Sequence, residues 1–318
     1  MNSNLYNMKT LVAIPCFNEA DNIQECVDSL IAHKLEKNIA FDLVIVDDGS
    51  DDQSSDIISK YKNELNVISS ESNEGLAEVF NSILYFTKKN NYQRMLIFDA
   101  DLQYPVGDVG DLISKLSEEN LDIVIGTRDF KNIKHFRKSK KFFQIFGSFI
   151  VSKLIGVKIK DATSGFRSYS KKAVNVLLTS NKFTYTVETL FQAKDFNLKI
   201  GNFDIGTTKE TRPSKLFKSD FQYIRNTFSI IIKSLILYKR NFSNFLFLFF
   251  TIPGGMLLSR FFIPYFRDGS NSGNIQSLVT GFSYLIILFL LFIYLSLYSF
   301  LTIRFNKVNK DNFNPKHT

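Results

Sequence analysis

Between Leu11 and Gly126 the chain alternates brief apolar runs with longer stretches whose apolar positions recur every three or four residues. Leu11 to Pro15 is too short for a helix and lies between polar residues, the pattern of a strand buried on both faces. Asn18 then stands where it can cap a helix that carries Ile23, Val27, Leu30 and Ile31 on one face. Phe41 to Val46 predicts a second strand, stopped by Asp47-Asp48-Gly49-Ser50 and followed by a helical face of Ile57, Ile58, Tyr61 and Leu65. Val67 to Ser69 predicts a third strand and Asn73-Glu74-Gly75 a turn, before a helix marked by Leu76, Val79, Phe80, Ile83 and Leu84. Met95 to Phe98, a helix with Leu112, Ile113 and Leu116, and Ile123 to Gly126 complete the series. Such alternation predicts an open, mostly parallel α/β sheet with right-handed crossovers and helices on both faces.

The pattern changes in the second half. From Arg137 to Lys153, Lys138, Lys140 and Lys141 lead into Phe142, Phe143, Ile145, Phe146, Phe149 and Ile150. An aromatic face beside a cationic cluster fits a helix lying in the headgroup layer of a membrane, although a core helix would show a similar pattern. Phe217 to Arg240 is a second amphipathic candidate. Phe242 to Ser259 contains no charge and is about long enough to cross a hydrocarbon core, despite Pro253-Gly254-Gly255. Ser277 to Ile303 is longer and also uncharged, so a tilted second span is expected. Lys239, Arg240, Arg304, Lys307 and Lys310 flank this hairpin, so the positive-inside rule puts the α/β domain and both termini in the cytoplasm. The expected organisation is therefore an α/β domain over 1–215, a juxtamembrane helix over 216–241, spans over 242–266 and 277–303 joined by an external loop at 267–276, and a basic tail over 304–318.

Composition narrows this picture only slightly. The 318 residues carry a formal net charge of +8, compatible with nucleic acid, anionic lipid or an acidic substrate. No nucleic-acid readout module is recognisable, so a nucleic-acid partner is not expected. Cys16 and Cys26 are the two cysteines, both in segments that read as strand and helix, which points to a reducing compartment. No charged n-region with an apolar h-region opens the chain, so no cleaved signal peptide is expected.

In an open α/β sheet, ligands gather beyond the carboxyl ends of the strands. Those ends deliver Pro15-Cys16-Phe17-Asn18-Glu19, Asp47-Asp48-Gly49-Ser50, Asp99-Ala100-Asp101 and Gly126-Thr127-Arg128. If the extended backbone continues past Phe98, Asp99, Asp101 and Gln103 project to one side and Ala100 and Leu102 to the other. Three oxygen donors suit a hard cation, Mg²⁺ or Mn²⁺, with positions left for substrate phosphates. No G-x-G-x-x-G or G-x-x-x-x-G-K-[ST] follows any strand, which weighs against dinucleotide cofactors and P-loop chemistry.

The segments VAIPCFNEADNI, LVIVDDGSDDQS, MLIFDADLQYP, IVIGTRDF, DATSGFRSYSKKA and KETRPSKL resemble, in order and spacing, the family 2 glycosyltransferases of GT-A fold, and within them the polyprenyl-phosphate branch. The resemblance covers about residues 9 to 240 and implies roles by position. Pro15, Asn18, Glu19 and Asp48 match residues that hold the donor nucleoside, with Asp47 supporting the turn or reaching the base. Asp99, Asp101 and Gln103 match the metal and diphosphate site. Arg128 and Arg167 match basic residues around the phosphates, and Arg212, Ser214 and Lys215 match a late basic motif that folds over a phosphate. Asp161 matches an aspartate near the acceptor end, as an orienting group or a base.

The implied reaction is an inverting, metal-dependent transfer of a sugar from a UDP- or GDP-linked donor to undecaprenyl or dolichyl phosphate. The acceptor phosphate is already anionic and needs little help from a general base, so His33, His135 and His317, which match no motif, are not required. Asp101, Arg128 and Asp161 are the expected catalytic residues, and the hairpin leaves room for a homo-oligomer, as in similar proteins. Two other readings compete. A polysaccharide-extending transferase is disfavoured by the lack of any Trp for a Q-x-x-R-W-like motif, and a silent nucleotide-sugar-binding scaffold by the intact acidic triad.

Overall fold

The computed structural model describes residues 8–130, 138–179, 184–206, 220–238, 240–268 and 275–312. Its first compact unit, Met1–Ile231 with Asn312–Thr318, is built on one seven-stranded sheet. The strands are β1 (Thr10–Cys16), β2 (Asp42–Asp47), β3 (Asn66–Ser69), β4 (Arg94–Ile97), β5 (Ile123–Arg128), β6 (Arg167–Ser170) and β7 (Ile200–Ile205). They lie in the order β3-β2-β1-β4-β6-β5-β7. All neighbours are parallel except β6, which is antiparallel to both β4 and β5. The helices are α1 (Ile23–Lys37), α2 (Ser54–Ser59), α3 (Leu76–Lys89), α4 (Asp108–Glu118), α5 (Lys138–Ile155), α6 (Lys171–Val176), α7 (Thr186–Asp195) and α8 (Asp220–Tyr238).

The central strands are buried along nearly their whole length, which is why they read as continuous apolar runs. One face packs Val12, Ile14, Ile45, Leu96 and Val124 against Ile23, Val27 and Leu30 of α1 and Val109, Leu112 and Leu116 of α4. On the other face α3 packs on β1, and α6 on β4 and β6.

Three local expectations need correction. The helix after β1 begins at Ile23, not behind Asn18, because Asn18 takes a left-handed conformation (φ 56°) and its Oδ1 accepts from Asp51 N instead. The helix expected through Leu65 is the short α2, after which Tyr61 leaves the helix and donates to Asp28. Finally, β4 stops at Ile97, and Leu102 is left-handed (φ 55°), so an extended run from Asp99 to Gln103 does not occur. Burial nevertheless alternates there: Ala100, Leu102 and Tyr104 are buried and Asp99, Asp101 and Gln103 are half-buried.

The second compact unit, Ile232–Asp311, contains α9 (Arg240–Asp268) and α10 (Ile275–Asn312). Within these helices Asn244–Arg267 and Ile275–Tyr298 are each 24 residues long and apolar enough to cross a membrane. They pack through small residues: a Cβ on Gly254 would meet Leu285, and one on Gly281 would meet Leu258. Phe247 and Phe292 meet as tilted rings across the same pair, and Tyr284 Oη donates to Phe250 O at 3.0 Å.

Candidate functional site

The rim begins where the β1 and β4 ladder ends. Phe98 N donates to Ala13 O at 2.9 Å, and two residues further along β1 stands Pro15, which has no N–H to continue the ladder. β4 therefore separates from β1 just before Asp99. In the loop that follows, Asp101 Oδ1 accepts from Gln103 N at 3.2 Å, which turns the chain back.

Asp99 is the most perturbed acid of the rim. Burial, then the neighbouring Asp101 and more weakly Glu19, push its carboxyl well above the usual carboxylate range, while Arg128 pulls the other way. Its position is set from behind: a Cβ on Gly165 would stand 2.9 Å from Asp99 Oδ2 and 3.2 Å from Tyr185 Oη, and Tyr185 Oη donates to Gly165 O. Gly165→Ala should therefore displace the Asp99 carboxylate while leaving the fold intact. The expected result is at least a tenfold weaker Mn²⁺ dependence of nucleotide binding with an unchanged circular dichroism spectrum.

Arg128 ends β5 and is held by a fully buried partner. Its Nε donates to Asp161 Oδ2 at 2.7 Å and its Nη2 to Asp161 Oδ1 at 3.2 Å and Thr163 Oγ1 at 3.1 Å. Asp161 is 0% exposed and Arg128 11%. Asp161 Oδ1 also accepts from Thr163 N and Ser164 N, so the carboxylate is surrounded by donors. Asp161 thereby orders the Arg128 guanidinium.

Arg167 is not on the rim. It is fully buried, donating to Thr186 O, Thr189 Oγ1 and Ala162 O, and so ties the loop before β6 to α7. It is unavailable to a phosphate because its side chain is enclosed between these elements. Asp47 and Asp48 are also engaged. Asp47 accepts from Ser50 N, Ser50 Oγ and Ser55 Oγ, the bonds that hold the turn after β2. Asp48 accepts from Glu74 N at 2.8 Å and Gly75 N at 2.9 Å, clasping the loop before α3. Burial raises its carboxyl, and those two amides oppose the rise. Asn18 N donates to Ser50 Oγ and Glu19 N to Ser54 Oγ, so the loops after β1 and β2 form one bonded unit with Pro15 at its base.

The structure thus gathers Glu19, Asp99, Asp101 and Arg128 within electrostatic reach of one another. Arg212, Ser214 and Lys215 lie outside the described residues. Among the described residues no three His, Cys, Asp or Glu side chains converge as a metal site, so any cation here would rest on the two carboxylates and other oxygens. That donor set fits a hard cation: two half-buried acids in one loop leave negative charge that a divalent ion would neutralise. Sequence reasoning missed Gly165 and Thr163, although both lie inside the DATSGFR segment; the glycine was the visible signal.

A mixed sheet with this acidic, arginine-flanked loop at its carboxyl rim defines a GT-A glycosyltransferase architecture. The Glycosyl transferase family 2 model matches residues 11–178, just over half of the chain, and the chain belongs to that family. It is 30% identical over 215 residues to the UDP-N-acetylglucosamine--dolichyl-phosphate N-acetylglucosaminyltransferase of Methanococcus voltae, covering 61% of this chain and 83% of that one. It is 27% identical over 234 residues to the dolichol-phosphate mannosyltransferase of Pyrococcus furiosus, covering 70% and 64%. An uncharacterized protein of Methanocaldococcus jannaschii, MJ0544, is 34% identical over 138 residues, covering 42% and 58%, so this chain spans somewhat over half of that relative. Among solved structures, glucosyl-3-phosphoglycerate synthase from Mycobacterium tuberculosis, in complex with Mn²⁺ and UDP, shares the fold with a TM-score of 0.55 at 17% identity, covering 72% of this chain and 79% of that one.

Proposed function

We propose that the chain transfers a sugar from a UDP- or GDP-linked donor to a polyprenyl phosphate, undecaprenyl or dolichyl, at the cytoplasmic face of a membrane, with inversion at the anomeric carbon. The observation that carries this reading is the Asp99 and Asp101 pair beside an arginine that a buried aspartate holds in place. The two apolar helices and the dolichyl-phosphate enzymes among the relatives support a lipid acceptor.

Asp99 and Asp101, with Gln103, would hold Mg²⁺ or Mn²⁺, which when bound neutralises charge on the donor diphosphate. Arg128 adds a planar cation to the same region, positioned to stabilise negative charge as it grows on the leaving diphosphate. Pro15, Asn18, Glu19 and Asp48 form the floor for the nucleoside, and Arg212, Ser214 and Lys215 supply a late basic contact. An acceptor phosphate oxygen forms its bond to the anomeric carbon as the bond to the donor diphosphate oxygen breaks. The nucleophile arrives without a proton to lose, so a buried and fully engaged Asp161 is no obstacle. Lys239 and Arg240 before the hairpin, and Arg304, Lys307 and Lys310 after it, support a cytoplasmic catalytic unit and tail.

Purified full-length protein in detergent, given Mn²⁺, polyprenyl phosphate and a panel of labelled nucleotide sugars, should form an organic-extractable product with one donor. Donor binding without product from any member of the panel would overturn the reading.

A further inference from the structure

Helix α5 is amphipathic in the wrong sense for a core helix. Its inward face consists of Gln144, Ser148, Val151 and Ile155, all buried. Two of these are polar, and with Ser152 they bind the loop that leads to β6: Ser148 Oγ accepts from Ala162 N at 3.0 Å, and Ser152 Oγ bonds Ile159 N and O. The outward face carries Phe142 (61% exposed), Ile145, Phe146 and Phe149 (55% exposed). Phe142 and Phe146 stack at 5.7 Å, and Lys153 Nζ lies 5.6 Å from the Phe149 ring centre. Surface helices ordinarily turn this stripe toward the core. Leaving it outside is unfavourable in water and calls for a second apolar medium.

Charge selects that medium. The sequence from 131 to 160 contains nine Lys or Arg and no Asp or Glu, a charge balance complementary to anionic lipid, and the same chain carries two helices of membrane-spanning length.

The inward face meets the rim at the hydroxyl of Thr163. Thr163 Oγ1 stands 2.7 Å from Gln144 Oε1 and 3.0 Å from Asp161 Oδ1, and it accepts from Arg128 Nη2 at 3.1 Å. A hydroxyl has one proton, and the shorter distance gives it to Gln144. Gln144 thereby turns the lone pairs of Thr163 toward the guanidinium and keeps Thr163 from competing with Arg128 for Asp161.

Resting on the function proposed above, we propose that α5 seats its aromatic face in an anionic bilayer surface and that Gln144 is a positioning residue through which this seating sets Arg128. Lipid engagement and binding of the donor diphosphate are then coupled, and each strengthens the other.

The chain has no Trp, so the F146W protein carries a single tryptophan, excited selectively at wavelengths where tyrosine does not absorb. Full-length F146W in phosphatidylglycerol nanodiscs should be quenched by brominated acyl chains. UDP and GDP, each with Mn²⁺, are titrated into wild type and Gln144→Met in phosphatidylglycerol and in phosphatidylcholine nanodiscs. Wild type should bind one nucleotide about tenfold more tightly in the anionic discs, and Gln144→Met should bind it equally weakly in both. In an Arg128→Ala background the Gln144 substitution should have no further effect, which a general loss of folding would not reproduce. An unquenched F146W reporter, including one shielded by a second copy of the chain that chemical cross-linking captures, overturns the inference. So does equal nucleotide affinity of wild type in both lipids; if lipid-linked product still forms, the proposed function stands and the coupling alone falls. Absence of binding by both nucleotides removes both.

Discussion

Asp101→Ala protein should remain folded and lose turnover by about 10³-fold, a loss of the size seen when one preorganised group that stabilises developing charge is removed. The carboxylate is half-buried and accepts from Gln103 N, and its removal should move Tm by a few degrees. Product formation in detergent and a melting curve on the same sample check both halves of this expectation. A nucleotide-sugar-binding scaffold would behave differently, since its complex would survive the substitution unchanged. Asp99→Asn should reduce turnover to a similar extent, because the two side chains would hold one cation together.

Asp161→Asn should produce the largest loss of stability of any single change at the rim. The substitution leaves Arg128 buried beside a neutral amide, and breaking a buried ion pair from one side costs about 3–5 kcal/mol. Urea unfolding, followed by circular dichroism, measures it directly. The kinetic signature separates the two roles that the sequence left open. Loss of a base would remove an ionisation from the pH profile of kcat, whereas loss of an orienting partner should lower kcat and raise donor KM with the shape of that profile unchanged, because Arg128 is no longer fixed beside the leaving diphosphate. The second result is expected, since Asp161 has no exposed surface through which to meet an acceptor. Arg128→Met combined with Asp161→Leu should recover most of the stability and none of the activity, which divides the structural from the functional part of the pair.

The strand and helix alternation was legible because β1, β2 and β4 are buried on both faces and must be apolar throughout. β6 was not. Its sequence, Arg-Ser-Tyr-Ser, carries no apolar alternation, because Arg167 Nη1 donates to Thr186 O in α7 and Ser168 Oγ to Leu112 O, both remote in sequence. β7 was missed for a different reason: only Ile205 is buried in a strand that borders the sheet. At the rim, the carboxylates after each strand could be anticipated from where the apolar runs stop. What could not be anticipated was which of two arginines faces the rim, since that is decided by the partners the fold brings to Arg128 and Arg167. The alternation expected beyond Phe98 failed as backbone geometry and survived as burial, because Leu102 turns left-handed and is still buried.

The position of β6 also dictates an order of events during synthesis. β4 and β5 are separated by β6, whose residues Arg167–Ser170 are made some 70 residues after β4. A nascent chain can pair β1, β2, β3 and β4 early, and then presents β4 as a bare edge while α5 emerges with its aromatic stripe. Only when β6 has left the ribosome and inserted in the opposite direction can Asp99 and Arg128 be brought to the same rim. The half-built sheet is thus the state most exposed to misassembly, and slowing translation after residue 170 should raise the yield of folded protein more than slowing it earlier.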